Sequence, residues 1–401
     1  MIWDIMILII IDLLREKVPY LRTVYVYFTL FNFMVRQFTS YGVASSIPGP
    51  RMFPIIGSIS LLLTPQRKMF KKLMNYCKLY PNGFRYWCFG SFTYNTYSAE
   101  SIEKILTNSK HGQRNASSGL LRTYLNGSSI TSSANKWVMQ HEKTSDSIKS
   151  SDFRSKFLDQ TKWLKEEIQR NELKKPDGSN LQKLISRYLL GVDGIQEIDQ
   201  IGYDKALNAI IFTLSMLANY HDVQQRLYEE ITLKLDEDND ENYLNAVVKE
   251  VLRLYPPVTV VERILGEETI IDGENAVKLP AKTCVQIQIY ALHRDAKYFE
   301  NPEQFDPNRF LNDSLAKYTS GSPTCVYNGD HHPFAYIPFG TSDLNCIDQK
   351  FAEMAIGAVA TEIVKHFELK PITKVEDFDL MHDSVLKTQE PIRVEFVSRA
   401  A

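Results

Sequence analysis

Three groups of residues in this chain could do chemistry. Cys346 lies in Phe339-Gly340-Thr341-Ser342-Asp343-Leu344-Asn345-Cys346-Ile347-Asp348-Gln349-Lys350-Phe351-Ala352, just ahead of a segment with helical spacing. A lone cysteine in that position ordinarily serves as a small buried hydrophobe; its thiolate is also a soft metal ligand. Glu250 and Arg253, in Glu250-Val251-Leu252-Arg253, stand at i and i+3 and share one helix face. Such pairs are usually surface ion pairs worth about 0.5 kcal/mol. Asp204 and Lys205 put a carboxylate beside an ammonium near an apolar helix, where the ordinary reading is a solvated helix surface.

Composition narrows what these groups can serve. The chain has 401 residues, 44% hydrophobic and 11% aromatic, enough to bury a large core. With 46 basic against 48 acidic residues the net charge is -2, and no zinc spacing, Walker loop or basic repeat accompanies it, so nucleic acid is not an expected partner. The five cysteines, Cys77, Cys88, Cys284, Cys325 and Cys346, are odd in number and scattered, which reads as free thiols of a reducing compartment. One of them is available to hold a metal.

The elements that must position these groups are legible in outline. Residues 1–14 and 24–35 are apolar, but Arg15, Glu16, Lys17 and Arg22 divide them, and crossing a bilayer takes about 20 apolar residues. An uncleaved anchor or a re-entrant interfacial helix pair is expected there, with a buried amphipathic helix as the alternative. Ile47-Pro48-Gly49-Pro50 and Phe53-Pro54-Ile55-Ile56-Gly57 follow as a stiff hinge, too proline-rich for helix. Gln66 to Tyr80 has helical spacing ended by Pro81-Asn82-Gly83; Phe84–Phe89 and Phe92–Tyr97 read as a hairpin about Gly90-Ser91; Ser98 or Ser101 caps a further helix. Residues 153–192 form a charged helix pair broken at Lys175-Pro176-Asp177-Gly178. The run from Asn208 to Ala218 is apolar nearly all round, as in a helix through the centre of a domain. Amphipathic helices are expected over Asp222–Leu235 and Tyr243–Tyr255, the second stopped by Pro256-Pro257. Short strands over Thr259–Ile264, Thr269–Ile271 and Cys284–Ile289 and a helix over Gln349–Phe367 complete a mainly α chain with a small β region, without internal repeats.

Several motifs in this order resemble one family. The cysteine segment is similar to the cysteine loop of the cytochrome P-450 haem-thiolate monooxygenases: Phe339 and Cys346 keep the pattern, while Ser342, Leu344 and Asp348 replace its two glycines and its arginine. Glu250 and Arg253, with Asp306-Pro307-Asn308-Arg309-Phe310 and Tyr290-Ala291-Leu292-His293-Arg294-Asp295, resemble the family's Glu-x-x-Arg helix and its partner loop. Gly202-Tyr203-Asp204-Lys205-Ala206 is similar to the oxygen-activation site, with Lys205 where an alcohol is usual. The wording of Ser98–His111 and of His332–Phe339 is closest to the fatty-acid ω-hydroxylase branch.

The resemblance implies a cytochrome P-450 fold over residues 46–401, shortened between the early helices and the central helix, and a hydrophobic anchor and hinge over residues 1–45. It implies haem as cofactor with Cys346 as the metal ligand, Trp137, His141, Arg263 and Phe339 at the cofactor, and His141 where a propionate-binding arginine is usual. Glu250, Arg253 and Arg309 would form a buried triad, and Asp204 with Lys205 would handle protons. Expected partners are an NADPH-dependent flavoprotein reductase, O2, a lipophilic substrate and a membrane surface, at the cytoplasmic face of the endoplasmic reticulum. The alternative expectation, drawn from Leu344, Asp348, Lys205, His141 and the short middle, is a haem-poor descendant acting as a binding or scaffold protein, or an incomplete gene product.

Overall fold

The computed structural model describes residues 27–28, 42, 44–53, 57–88, 91–111, 151–173, 175–192, 200–233, 243–271, 276–311, 332–340 and 349–399. Cys346, Trp137, His141, Leu344 and Asp348 lie outside these, as does most of the expected anchor.

The longest helices carry the core. The central helix α5 (Gln200–Asn219) begins eight residues earlier than its fully apolar stretch suggests, and from Ala206 to Ala218 nearly every side chain is buried. Apolar residues on all sides suit a helix surrounded by others, and four helices and the C-terminal strands pack around it. They are α4 (Leu181–Leu190), α6 (His221–Leu233), α7 (Tyr243–Leu254) and α8 (Gln349–His366). Phe212 of α5 stacks on Tyr255 at 4.6 Å and 6°, tying the central helix to the end of α7. Pro256 and Pro257 stop α7 there because neither can donate a backbone hydrogen bond.

Local signals account for other boundaries. Asn180 caps α4 by accepting from the Lys183 N–H at 3.0 Å, and Ser98 caps α2 (Ala99–Thr107) by accepting from the Ser101 N–H at 3.3 Å. Helix α1 spans Gln66–Leu79 and α3 spans Ser151–Glu167. The break at Lys175–Gly178 occurs, but α3 passes first through a wider five-residue turn, Ile168–Glu172, that the spacing did not announce.

One sheet runs in the order β1 (Phe84–Cys88), β2 (Ser91–Thr96), β7 (Cys284–Gln288), β4 (Val260–Ile264), and the short strands β3 (Ser179–Asn180), β5 (Thr269–Ile271) and β6 (Val277–Leu279) lie outside it. The expected hairpin pairs Cys88 with Ser91 and Phe84 with Asn95. β2 and β7 then pair in parallel, Thr93 opposite Cys284, bringing together segments nearly 200 positions apart. The C-terminal strands β8 (Phe367–Pro371), β9 (Leu380–His382), β10 (Leu386–Thr388) and β11 (Arg393–Ser398) were not read from the sequence. β8 and β11 pair with each other and pack on α5.

Among the described residues no helix is long and apolar enough to cross a membrane. The proline-rich hinge is gripped by Arg85, which is buried. Its Nε donates to Ala44 O at 3.0 Å and its Nη1 to Pro50 O at 2.6 Å, while its N–H donates to Pro48 O at 2.9 Å.

Candidate functional site

Glu250 and Arg253 are both fully buried on α7. Arg253 makes a two-point contact, Nε to Oε2 at 2.7 Å and Nη2 to Oε1 at 2.8 Å. Glu250 Oε1 also accepts from Arg309 Nε at 3.0 Å and from the Asp306 N–H at 2.9 Å. The carboxylate therefore answers four donors, three at Oε1 and one at Oε2. Removed from water, a carboxylate and guanidinium recover their solvation only through geometry of this kind.

The guanidinium groups spend their other donors on the loop ahead of Arg309. Arg253 Nη1 donates to the carbonyls of His293 at 2.8 Å and Pro302 at 2.7 Å, and Nη2 to Gln304 O at 3.1 Å. Arg309 Nη1 donates to Glu300 O at 3.1 Å. Asn301, at φ 46°, sits between two of these carbonyls in a left-handed conformation that asparagine tolerates better than most residues. The Phe299 ring lies 5.1 Å from the Arg253 guanidinium carbon. Four main-chain carbonyls of residues 293–304 are thereby fixed on two side chains.

The same network reaches the segment 332–340 from two sides. Tyr336 donates its hydroxyl to Lys249 O at 3.0 Å, and the Ile337 N–H donates to His293 Nε2 at 2.9 Å. Phe334, Ala335, Tyr336 and Ile337 are buried, and Phe339 packs against the core around α5. Gly340 closes a turn by donating its N–H to Ile337 O at 3.1 Å, with φ 79°, where a side chain would be strained. In sequence, Cys346 follows six residues later and α8 starts at Gln349.

The structure thus brings Glu250, Arg253 and Arg309 together and leads from them to Phe339. Arg263, on β4 opposite Val285, is nearly buried and donates Nη1 to Glu262 O at 2.9 Å. Asp204 and Lys205 stand half-buried on the first half of α5, and the Asp204 carbonyl accepts from Asn208 Nδ2 at 2.8 Å.

Sequence reasoning gave His293 no role. It is fully buried and touches both α7 and Ile337. Burial first, and the Arg253 cation second, push its pKa down to about 3, so it is neutral at physiological pH. The available signal was a histidine inside an otherwise expected partner loop, although nothing local tells a buried histidine from an exposed one.

Residues 201–396 match the family model described as Cytochrome P450. Similar curated proteins include "Probable cytochrome P450 4ac1" of Drosophila melanogaster, 37% identical over 207 residues, which cover 49% of this chain and 37% of the relative. "Cytochrome P450 4c3" of the same organism is 32% identical over 217 residues, covering 51% of the chain and 38% of the relative. "Cytochrome P450 3A31" of Mesocricetus auratus is 31% identical over 209 residues, covering 50% and 38%. The chain thus spans less than two fifths of the length of these relatives.

Proposed function

Residues 201–396 make the chain a member of the cytochrome P450 superfamily, and from that premise we propose a haem-dependent monooxygenase with Cys346 as the iron ligand. Its reaction inserts one oxygen atom of O2 into a lipophilic substrate, with a fatty acid as the first class to test. The observation that carries this reading is the four-donor Glu250 carboxylate, which joins α7 to the loop before Arg309, while Tyr336 and His293 join α7 and that loop to residues 332–340.

The donor chemistry present fits a haem. In sequence, Cys346 stands three residues before α8, and its thiolate is proposed as the iron ligand. Arg263 offers a nearly buried guanidinium for a propionate, and Trp137 and His141 are proposed as further propionate donors. Phe339 is proposed to pack at the cofactor. When bound, thiolate-ligated haem supplies an electron-rich iron able to cleave the O–O bond of oxygen. The protein's part is to keep the thiolate approach rigid, which the Arg253 and Arg309 contacts favour, and to handle protons through Asp204 and Lys205. An NADPH-dependent flavoprotein reductase is the proposed electron donor. We also assign residues 1–45 to an anchor at the cytoplasmic face of the endoplasmic reticulum.

A second reading draws on specific residues. Leu344 and Asp348 put an aliphatic group and a carboxylate where an arginine and a glycine would favour haem, consistent with a haem-poor binding or scaffold protein. Reduced protein under carbon monoxide separates the two. The red-shifted Soret band of a thiolate-ligated ferrous carbonyl is expected; folded protein without it overturns the monooxygenase reading. Leu344→Arg with Asp348→Gly should raise haem content.

A further inference from the structure

His293 follows the single helical turn Ile289–Leu292 and is completely enclosed. Its Nδ1 lies 3.2 Å from the Arg253 carbonyl oxygen, which can only accept, so Nδ1 carries the proton. Its Nε2 accepts from the Ile337 N–H at 2.9 Å and is therefore bare. The two contacts select one neutral tautomer. Tyr336 stacks on the imidazole with ring centroids 5.2 Å apart and planes at 27°. The His293 carbonyl meanwhile accepts from Arg253 Nη1 at 2.8 Å, so this residue meets Arg253 through side chain and main chain alike.

The acceptor at Nε2 has a definite geometric consequence. Ile337 sits in a buried stretch whose neighbours Tyr336 and Gly340 are themselves hydrogen-bonded, and its amide needs a partner in the absence of water. The imidazole supplies that partner from a residue anchored on α7. Protonation would set an N–H against the Ile337 N–H, and would add a third cation where the nearest charged groups, Arg253 and Arg294, are already positive; Glu250 faces Arg253 and not the ring.

We propose that His293 is a positioning residue that latches the segment 332–340, and with it the approach to Cys346, onto the Glu250–Arg253 network through the Ile337 amide. The link to Cys346 rests on its proposed role as iron ligand; the latch between His293 and Ile337 does not.

Three variants of the full chain dissect the contact. His293→Gln keeps an acceptor near the Nε2 position, His293→Asn keeps a donor near Nδ1 only, and His293→Leu keeps neither. Hydrogen exchange followed by mass spectrometry on the peptide containing Ile337 reads the latch directly. Exchange should be roughly tenfold faster in His293→Asn and His293→Leu and near wild type in His293→Gln. The thiolate-ligated fraction in the reduced carbon monoxide spectrum should follow the same order, whereas a merely structural role would lower all three according to their loss of thermal stability. An Ile337 amide as protected in His293→Asn as in wild type overturns the proposal, as does a His293→Gln variant exchanging as fast as His293→Asn. If His293→Leu does not fold, the contrast between Gln and Asn alone decides. If wild type carries no haem while the exchange order holds, the iron-ligand reading fails and the latch stands.

Discussion

Two glutamate–arginine pairs, each one turn apart on a helix, occupy opposite extremes of environment in this molecule. Glu250 and Arg253 on α7 are completely buried; Glu250 also accepts from the Asp306 N–H and from Arg309, and Arg253 donates to three main-chain carbonyls. Glu166 on α3 and Arg170 in the turn that follows it meet at 2.9 Å with 55% and 71% of their side chains exposed. As local sequence they look alike. The exposed pair competes with water and salt and contributes a few tenths of a kcal/mol. In the buried pair, neither charge has water to fall back on, so the arrangement is all or nothing.

The sharpest way to break the contrast is Glu250→Gln. It leaves Arg253 and Arg309 buried against a neutral amide, and unfolding by urea should show a loss of about 3–5 kcal/mol. A loss under about 1 kcal/mol would mean the network relaxes or admits water, and the difference from the surface pair would collapse.

Acid probes the same core more gently. His293 titrates near 6.5 when unfolded and is held to about 3 when folded. The unfolded chain therefore binds the extra proton first. Stability from keeping this residue neutral is fully present above about pH 6.5 and declines as pH falls toward 3, by at most about 1.4 kcal/mol per pH unit from this group. Comparing wild type with His293→Gln isolates the contribution, because the variant should lose that part of the slope. The smallest effect belongs to the surface pair: Glu166→Gln should change stability by no more than about 0.5 kcal/mol and less in high salt.

How far the sequence leads depends on whether the cause is local. Pro256 and Pro257 end α7 because neither carries an N–H, and the pairing of β1 with β2 follows from their aromatic and β-forming residues. Both are visible in a short window. The first turns of α5 were not, because they lack the continuous apolar character that marks Asn208 to Ala218; only the resemblance of Gly202–Ala206 put them on the central helix. The strands β8 to β11 were missed for a related reason: they are short, and β8 and β11 are held by each other and by α5. Within the site, Glu250, Arg253 and Arg309 could be picked out by type and order. The carbonyl partners Glu300, Pro302 and Gln304 could not, since every residue has a carbonyl and only the backbone path aims it.

By itself, then, the sequence determined the order of the main helices and of the strands β1, β2, β4, β5 and β7 ahead of the cysteine segment, the mainly α character, and which side chains carry charge. These follow from periodicity, proline and glycine, which act within a few residues. Burial of Glu250 and Arg253 was expected from the resemblance and not from their local sequence, whereas tertiary structure alone decided that β2 pairs in parallel with β7 and that His293 is a neutral acceptor for Ile337. Burial, pairing and tautomer depend on which distant segments exclude water from a given atom, and no window along the chain contains that information.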